Sequence, residues 1–150
     1  MIQLSANFTL EELTRSQVAL RTGTDNDPTK DPDVMANLKR LCADVLEPAR
    51  RFLGVPLHVD SGYRSPLVND WVGGAKDSAH MYGRAADVIP MGVELLQAFQ
   101  LLMHSGIPYD QCIFECKAWI HVSVAPLGET PRGENLLASG HPGAWVYEKA

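Results

Sequence analysis

The chain has 150 residues, of which 45% are hydrophobic and 21% charged, and its formal net charge is -5 at pH 7. This length predicts one domain with a sizeable core, and the composition is that of an ordinary globular protein. The negative charge argues against binding to nucleic acid or to an anionic membrane, and no apolar run is long enough to span a bilayer. We therefore expect a protein without a nucleic-acid partner or stable membrane association, and a monomer.

The cysteines and the first residues of the chain indicate the cellular compartment in which the protein is made. The three cysteines, Cys42, Cys112 and Cys116, form no CxxC pair. Their odd number argues against a disulfide framework and against a thiolate zinc site. The first residues show no basic segment followed by an apolar one, so we expect no signal peptide and synthesis in the cytoplasm.

The first half of the chain predicts two helical regions separated by a loop. Thr9 and Glu12 have the spacing of a capping box at the start of a short helix. Glycine, asparagine and proline predict a loop over 21–33. Apolar residues three or four apart over 34–52 predict a longer helix with one buried face, and Pro48 is expected to kink or divide it.

The second half alternates between short strands and helices. The predicted elements are a strand at 57–59, a helix at 65–72, a strand at 85–89, a helix at 92–105, and a hairpin of strands 111–115 and 119–124. Glycine and proline are frequent in the tail at 126–150, which we expect to be irregular. These elements predict an α+β fold in a single domain, 1–150.

Two histidines and one aspartate are candidates for a metal site. Strand alternation places His121 on one face with Trp119 and Ser123. If this face and that of Asp87 border one cleft, Asp87 and His121 meet, and His80 reaches them from the preceding loop. Two imidazoles and a carboxylate suit a catalytic zinc ion, whose fourth position stays open for water.

The spacing of these residues is by itself a weak pattern. It also fits a histidine at a strand edge and a solvated or capping aspartate. The apolar setting favours the metal, because an unpaired Asp87 inside the run 85–89 would be costly. His121 lies in an equally apolar strand, and a shared ion would satisfy both side chains.

Four motifs together resemble the M15 family of zinc peptidases. They are Ser-Gly-Tyr-Arg-Ser-Pro at 61–66, Val-Gly-Gly-Ala at 72–75, Ser-x-His-x-x-Gly-x-Ala-x-Asp at 78–87 and Trp-Ile-His-Val-Ser at 119–123. The family includes D-alanyl-D-alanine carboxypeptidases and phage endolysins that cut peptidoglycan stem peptides. Segments 8–16 and 24–28 are also similar to its compact, single-domain phage and prophage members. The resemblance covers about 7–125.

The resemblance implies a Hedgehog/DD-peptidase-like fold, in which a small, mainly antiparallel sheet carries the zinc site and helices flank it. It implies one zinc ion held by His80, Asp87 and His121. The implied function is hydrolysis of peptidoglycan stem peptides or cross-links by an endolysin, which a helper would release to the cell wall or periplasm. Two alternatives stay open: a bacterial D,D-carboxypeptidase or dipeptidase of wall metabolism, and an inactive zinc-containing wall-binding module.

Four residues are candidates for substrate contacts. The resemblance implies that Arg64 holds a substrate carboxylate or carbonyl, and a guanidinium binds a carboxylate bidentately. A surface or capping arginine is the alternative. Ser78 is expected to contact substrate or to brace the His80 loop. Tyr63 and Trp119 are expected to line the cleft, unless they belong to the core.

Glu115 is the candidate for the general base that a zinc peptidase needs. Some relatives place an acidic residue three positions before the last histidine, where this chain has Ala118. If Cys116 and Lys117 formed a two-residue turn, Glu115 would face away from His121. A three-residue loop over 116–118 would turn it to the zinc face. The alternative is an exposed glutamate at a strand end.

Overall fold

The structure, a computed structural model, describes residues 1–150. The six α-helices are α1 (Leu10–Thr14), α2 (Gln17–Thr22), α3 (Pro32–Leu41), α4 (Glu47–Leu53), α5 (Pro66–Trp71) and α6 (Leu95–Met103). A π-helix (Cys42–Leu46) joins α3 to α4, and a 3-10 helix (Ala79–Tyr82) follows α5. The six strands are β1 (Leu57–Ser61), β2 (Ala85–Pro90), β3 (Gln111–Glu115), β4 (Trp119–Ser123), β5 (Glu134–Ser139) and β6 (Val146–Lys149).

All six strands form one sheet in the order β1-β2-β4-β3-β5-β6. Every neighbouring pair is antiparallel except β3 and β5, which run parallel. The predicted α+β fold with a mainly antiparallel sheet is therefore confirmed. None of the helices has the length and hydropathy needed to cross a membrane.

The hydrophobic core lies on one face of the sheet. Ala86 and Val88 of β2 and Ile120 and Val122 of β4 point into it, where α6 covers the strands. Because side chains alternate along a strand, the residues between them point to the opposite face. Burial of large apolar side chains contributes about 1.5–3 kcal/mol each, so the core fixes which residues face the other side.

The start of α1 has the predicted capping box. The Thr9 hydroxyl accepts a hydrogen bond from the backbone N–H of Glu12 at 3.3 Å. The Glu12 carboxylate in turn accepts one from the backbone N–H of Thr9 at 2.8 Å. Two of the otherwise unpaired donors of the first turn are thus satisfied, which fixes where the helix begins.

The predicted division of the long helix at Pro48 takes the form of the π-helix. Proline has no N–H, and its ring crowds the carbonyl one turn earlier. The backbone widens over Cys42–Leu46, and the N–H of Glu47 bonds to the carbonyl of Cys42. The wider turn accommodates the proline, and α4 continues from it.

The prediction of an irregular tail at 126–150 is wrong for β5 and β6. The free edge of β3 offers unpaired backbone groups, and residues 134–138 pair with it over its full length. β6 then pairs with β5. Glycine and proline occupy the connections around these strands. The composition of the tail therefore predicted its turns correctly but gave no signal for its strands. That the chain forms a single domain stays a prediction.

Candidate metal centre

His80, Asp87 and His121 meet on the face of the sheet opposite the core. Asp87 of β2 and His121 of β4 are direct cross-strand partners. His80 lies in the 3-10 helix, and its own N–H donates to the Ser78 hydroxyl at the start of that helix. All three side chains are buried. The pairing of two strands and one short helical turn therefore assembles the predicted ligand set.

The donor atoms of the three residues have the spacing that zinc requires. Asp87 Oδ1 lies 3.0 Å from His121 Nδ1 and 3.3 Å from His80 Nε2. One ligand atom from each residue fits within 4.8 Å of the others. Ligands of a tetrahedral zinc ion lie about 3.4 Å apart, given bonds of about 2.0–2.2 Å. The residues are positioned to bind a metal ion, and three protein donors are typical of catalytic zinc.

A backbone carbonyl orients the His80 ring. Gly62 O lies 2.7 Å from His80 Nδ1. A carbonyl can only accept, so Nδ1 carries the proton and Nε2 keeps its lone pair for a metal. Such second partners fix the tautomer and the ring orientation of histidine ligands. Gly62 was not predicted, because a backbone contact of this kind leaves no side-chain signal in a sequence.

The surroundings of Asp87 and His80 favour the forms of these residues that bind a metal. Burial opposes ionisation of Asp87, but its interactions with His80 and His121 hold the pKa of this carboxyl below its ordinary value. Burial lowers the pKa of His80 and so favours the neutral imidazole. A carboxylate and a neutral imidazole are the forms that coordinate zinc. For His121, burial is outweighed by the hydrogen bond to Asp87 and the charge of that carboxylate, so its pKa is raised above the ordinary value.

Arg64 lies beside the three candidate ligands. Its Nη2 is 3.5 Å from Asp87 Oδ2, on the side of the carboxylate that faces away from the histidines. Nε donates to Ser61 Oγ at 3.3 Å, and Nη1 donates to Asn69 Oδ1 at 3.0 Å. The side chain lines the cleft, as a substrate-binding arginine must. Ser61 and Asn69, which hold it, were not predicted.

Glu115 has the strand pairing that its predicted role requires. It pairs with Trp119 across a loop of three residues, 116–118. Cys116 and Lys117 reach this geometry with φ angles of 51° and 59°. Glu115 Oε1 lies 3.7 Å from His121 Nδ1, and Oε2 accepts from Trp119 Nε1 at 2.8 Å. Burial, helped by the negative charge of Asp87, raises the pKa of Glu115.

The other predicted substrate-binding residues divide between cleft and core. Ser78 and Trp119 line the cleft, and the Ser78 hydroxyl accepts from the His80 N–H at 3.3 Å. Tyr63 does not line it. Its side chain is 9% exposed and belongs to the hydrophobic core. Tyr63 therefore packs in the core, while Arg64, the next residue, lines the cleft.

The cleft over the candidate ligands is open and has a volume of about 1440 Å³. Part of its lining comes from the tail, including Leu136 of β5, Tyr147 of β6 and Trp145 between these strands. The sequence did not predict this contribution, because it depends on the pairing of β5 with β3. The tail therefore adds three large apolar or aromatic side chains to a lining that elsewhere combines polar residues with Val72, Ile113 and Trp119.

Residues 6–123 match the profile of the peptidase M15 family, which is most of the chain. The chain belongs to this family. The match includes His80, Asp87, His121, Arg64 and Glu115. The resemblance predicted from the sequence motifs is confirmed, and so is zinc as the metal of the family, for which the donor set is suited.

A curated protein is also similar to part of the chain. It is the zinc D-Ala-D-Ala carboxypeptidase of Streptomyces albus G, which is 36% identical over 83 residues. The aligned region is 55% of this chain and 31% of the relative. The similarity therefore covers less than one third of the Streptomyces protein.

Proposed function

We propose that this M15 zinc peptidase hydrolyses peptide bonds in the stem peptides or cross-links of peptidoglycan. The observation that carries the proposal is the arrangement of Arg64 and Glu115 beside the three candidate zinc ligands in one cleft. Arg64 Nη2 lies 3.5 Å from Asp87 Oδ2, and Glu115 Oε1 lies 3.7 Å from His121 Nδ1. The name of the Streptomyces relative supports the substrate class.

In this proposal Glu115 moves the proton. Zinc held by His80, Asp87 and His121 would acidify a water molecule and polarise the scissile carbonyl. The Glu115 carboxylate accepts a proton from the attacking water and passes it to the leaving amine when the carbon–nitrogen bond breaks. The Trp119 indole donates to the other carboxylate oxygen and keeps the side chain in this orientation.

Arg64 binds and orients the substrate. Stem peptides are rich in carboxylates, and a guanidinium recognises a carboxylate or a carbonyl with donors in a fixed fork. Arg64 lies at the cleft surface with a side-chain exposure of 15%. Its positive charge, in this partly buried environment, also stabilises the negative charge that develops on the carbonyl oxygen during hydrolysis.

The finer assignment that we favour is a phage or prophage endolysin. It is supported by the similarity of segments 8–16 and 24–28 to compact phage-type members of the family. A bacterial D,D-carboxypeptidase or dipeptidase is the second candidate, and the Streptomyces carboxypeptidase supports it. A module without turnover is the third, because Ala118 stands where some relatives have an acidic residue.

Digestion of purified peptidoglycan tests the function and separates the candidates. The protein is incubated with sacculi as purified, after chelation, and after zinc is restored, and the new peptide ends are identified by mass spectrometry. We expect new ends that disappear with the chelator and return with zinc. Release of terminal D-alanine alone indicates a carboxypeptidase, and a cut cross-link or L-Ala–D-Glu bond indicates a lysin. The absence of new ends under all three conditions would refute the proposed activity.

A further inference from the structure

Asn69 of α5 is a buried polar residue that contacts Arg64. Its side chain is 1% exposed, although asparagine is usually a surface residue. Oδ1 accepts from Arg64 Nη1 at 3.0 Å, and Nδ2 donates to the carbonyl of Ala75 at 2.8 Å. The carboxamide thus joins Arg64 to the loop that follows α5.

The chemistry of its partners fixes the orientation of this carboxamide. A guanidinium has only donors and a backbone carbonyl has only acceptors. Oδ1 must therefore face Arg64, and Nδ2 must face Ala75. Aspartate would lose the donor to Ala75, and leucine would lose both bonds. Asparagine is the residue of this size that meets both demands.

Gly74 closes the other side of the same contact. A Cβ atom at this position would lie 2.1 Å from Asn69 Oδ1 and 2.9 Å from Arg64 Nη1. The Gly74 N–H also donates to the backbone carbonyl of Asn69 at 2.9 Å. The loop backbone can therefore lie against the pair of side chains only if residue 74 has no side chain.

We propose that Asn69 is a positioning residue, which together with Gly74 holds the Arg64 guanidinium in its substrate-binding orientation. The inference rests on the proposed role of Arg64 in the peptidase. Ser61 and Asp87 restrain Nε and Nη2, and Asn69 restrains Nη1. With Asn69 in place the planar group is held at all three nitrogens, so less conformational freedom is lost when substrate binds.

A double-mutant cycle tests the coupling between Asn69 and Arg64. We expect Asn69→Leu to lower kcat/KM for soluble muropeptides about tenfold, which is the scale of a hydrogen bond to a charged group, with an unchanged zinc content. In the Arg64→Ala background the same substitution should have no further effect. An equal loss in both backgrounds would show a general structural role and would overturn the proposal.

The chain offers a matched control and a second variant. Asn37 makes the same pair of bonds away from the cleft: it accepts from Arg40 Nη2 at 3.0 Å and donates to the carbonyl of Tyr82 at 2.9 Å. Because Tyr82 ends the 3-10 helix that carries His80, the control measures coupling: Asn37→Leu should change kcat/KM by the same factor in both backgrounds. Should Asn69→Leu not fold, Gly74→Ala is measured in the same cycle, with the same coupling expected and the same outcome counting against the role.

A measurement on the zinc-free protein separates this inference from the proposed function. In the wild type, hindered rotation of the Arg64 guanidinium should give separate NMR signals for its Nη protons. In Asn69→Leu faster rotation should merge these signals into an average. Signals that are the same in the variant would overturn the positioning role, whether or not the enzyme is active. An inactive wild type with the expected NMR change would instead count against the proposed function alone.

Discussion

Replacement of Glu115 by glutamine tests the proton transfer at the site. The variant keeps the size of the side chain, and its amide oxygen can still accept the bond from Trp119 Nε1, which is 2.8 Å long in the wild type. It removes the proton-accepting carboxylate oxygen that lies 3.7 Å from His121 Nδ1. His80, Asp87 and His121 are unchanged, so zinc binding should persist.

The expected loss follows from the role of the residue. A positioned general acid–base contributes on the order of 10²–10⁴-fold to a rate, which corresponds to about 3–5 kcal/mol of transition-state stabilisation. Folding should change little, because no buried donor loses its partner. A stability change below about 1 kcal/mol would move the melting temperature by about 2–4 °C at this chain length.

The assay is the rate at which new peptide ends appear in purified peptidoglycan, with zinc content and melting temperature measured on the same samples. Glu148→Gln is the control, because Glu148 is an exposed strand glutamate on β6. A Glu115→Gln enzyme that binds zinc fully and keeps more than about one tenth of the wild-type rate would refute the assignment of Glu115 as the base.

Three further predictions concern the surroundings of the site. Gly62→Ala should weaken zinc affinity about 10–100-fold in a chelator competition. The added Cβ would lie 2.3 Å from the backbone oxygen of Leu13 and would displace the Gly62 carbonyl that orients His80. An unchanged affinity would contradict this prediction. Hydrogen bonds from Arg132 lower the pKa of Asp110 below its ordinary 3.8, so their stabilisation is complete above that pH and is lost as the pH falls below it. Arg132→Gln should therefore reduce the free energy of unfolding of the zinc-free protein, measured in urea, by about 1 kcal/mol or less at neutral pH. At about pH 3 the difference between variant and wild type should be smaller. A difference that grows in acid would contradict the expected pH dependence. Trp145→Ala should raise KM several-fold with little change in kcat, since Trp145 lines the cleft and is not one of the candidate ligands. A fall in kcat alone would show another role.

The candidate ligands could be predicted from the sequence because two signals coincided. Asp87 and His121 are polar residues in apolar strands, and strand alternation then placed them on one face. The motif around His80 supplied the third ligand. Local sequence patterns were sufficient here, because the residues next to each ligand in the chain already indicated its role.

The surroundings of the ligands depend on contacts that sequence patterns do not show. Glu115 required a three-residue loop, which two residues other than glycine form at positive φ, and such conformations are uncommon outside glycine. Asn69 acts through Arg64, and Gly62 through its carbonyl. The strands of the tail exist because β3 has a free edge, which is a property of the assembled sheet.

The order of the strands separates the ligands from the cleft wall. β2 and β4, which carry Asp87 and His121, lie inside the sheet with a strand on either side. β6, which carries Tyr147, is the last strand, bonds only to β5, and has all its residues exposed. Edge elements of this kind open at a lower free energy than the centre of a sheet. Hydrogen exchange should therefore be faster in β6 than in β2 and β4. An opening of β6 would change the cleft wall that carries Tyr147 while the strands that carry Asp87 and His121 stay paired on both sides.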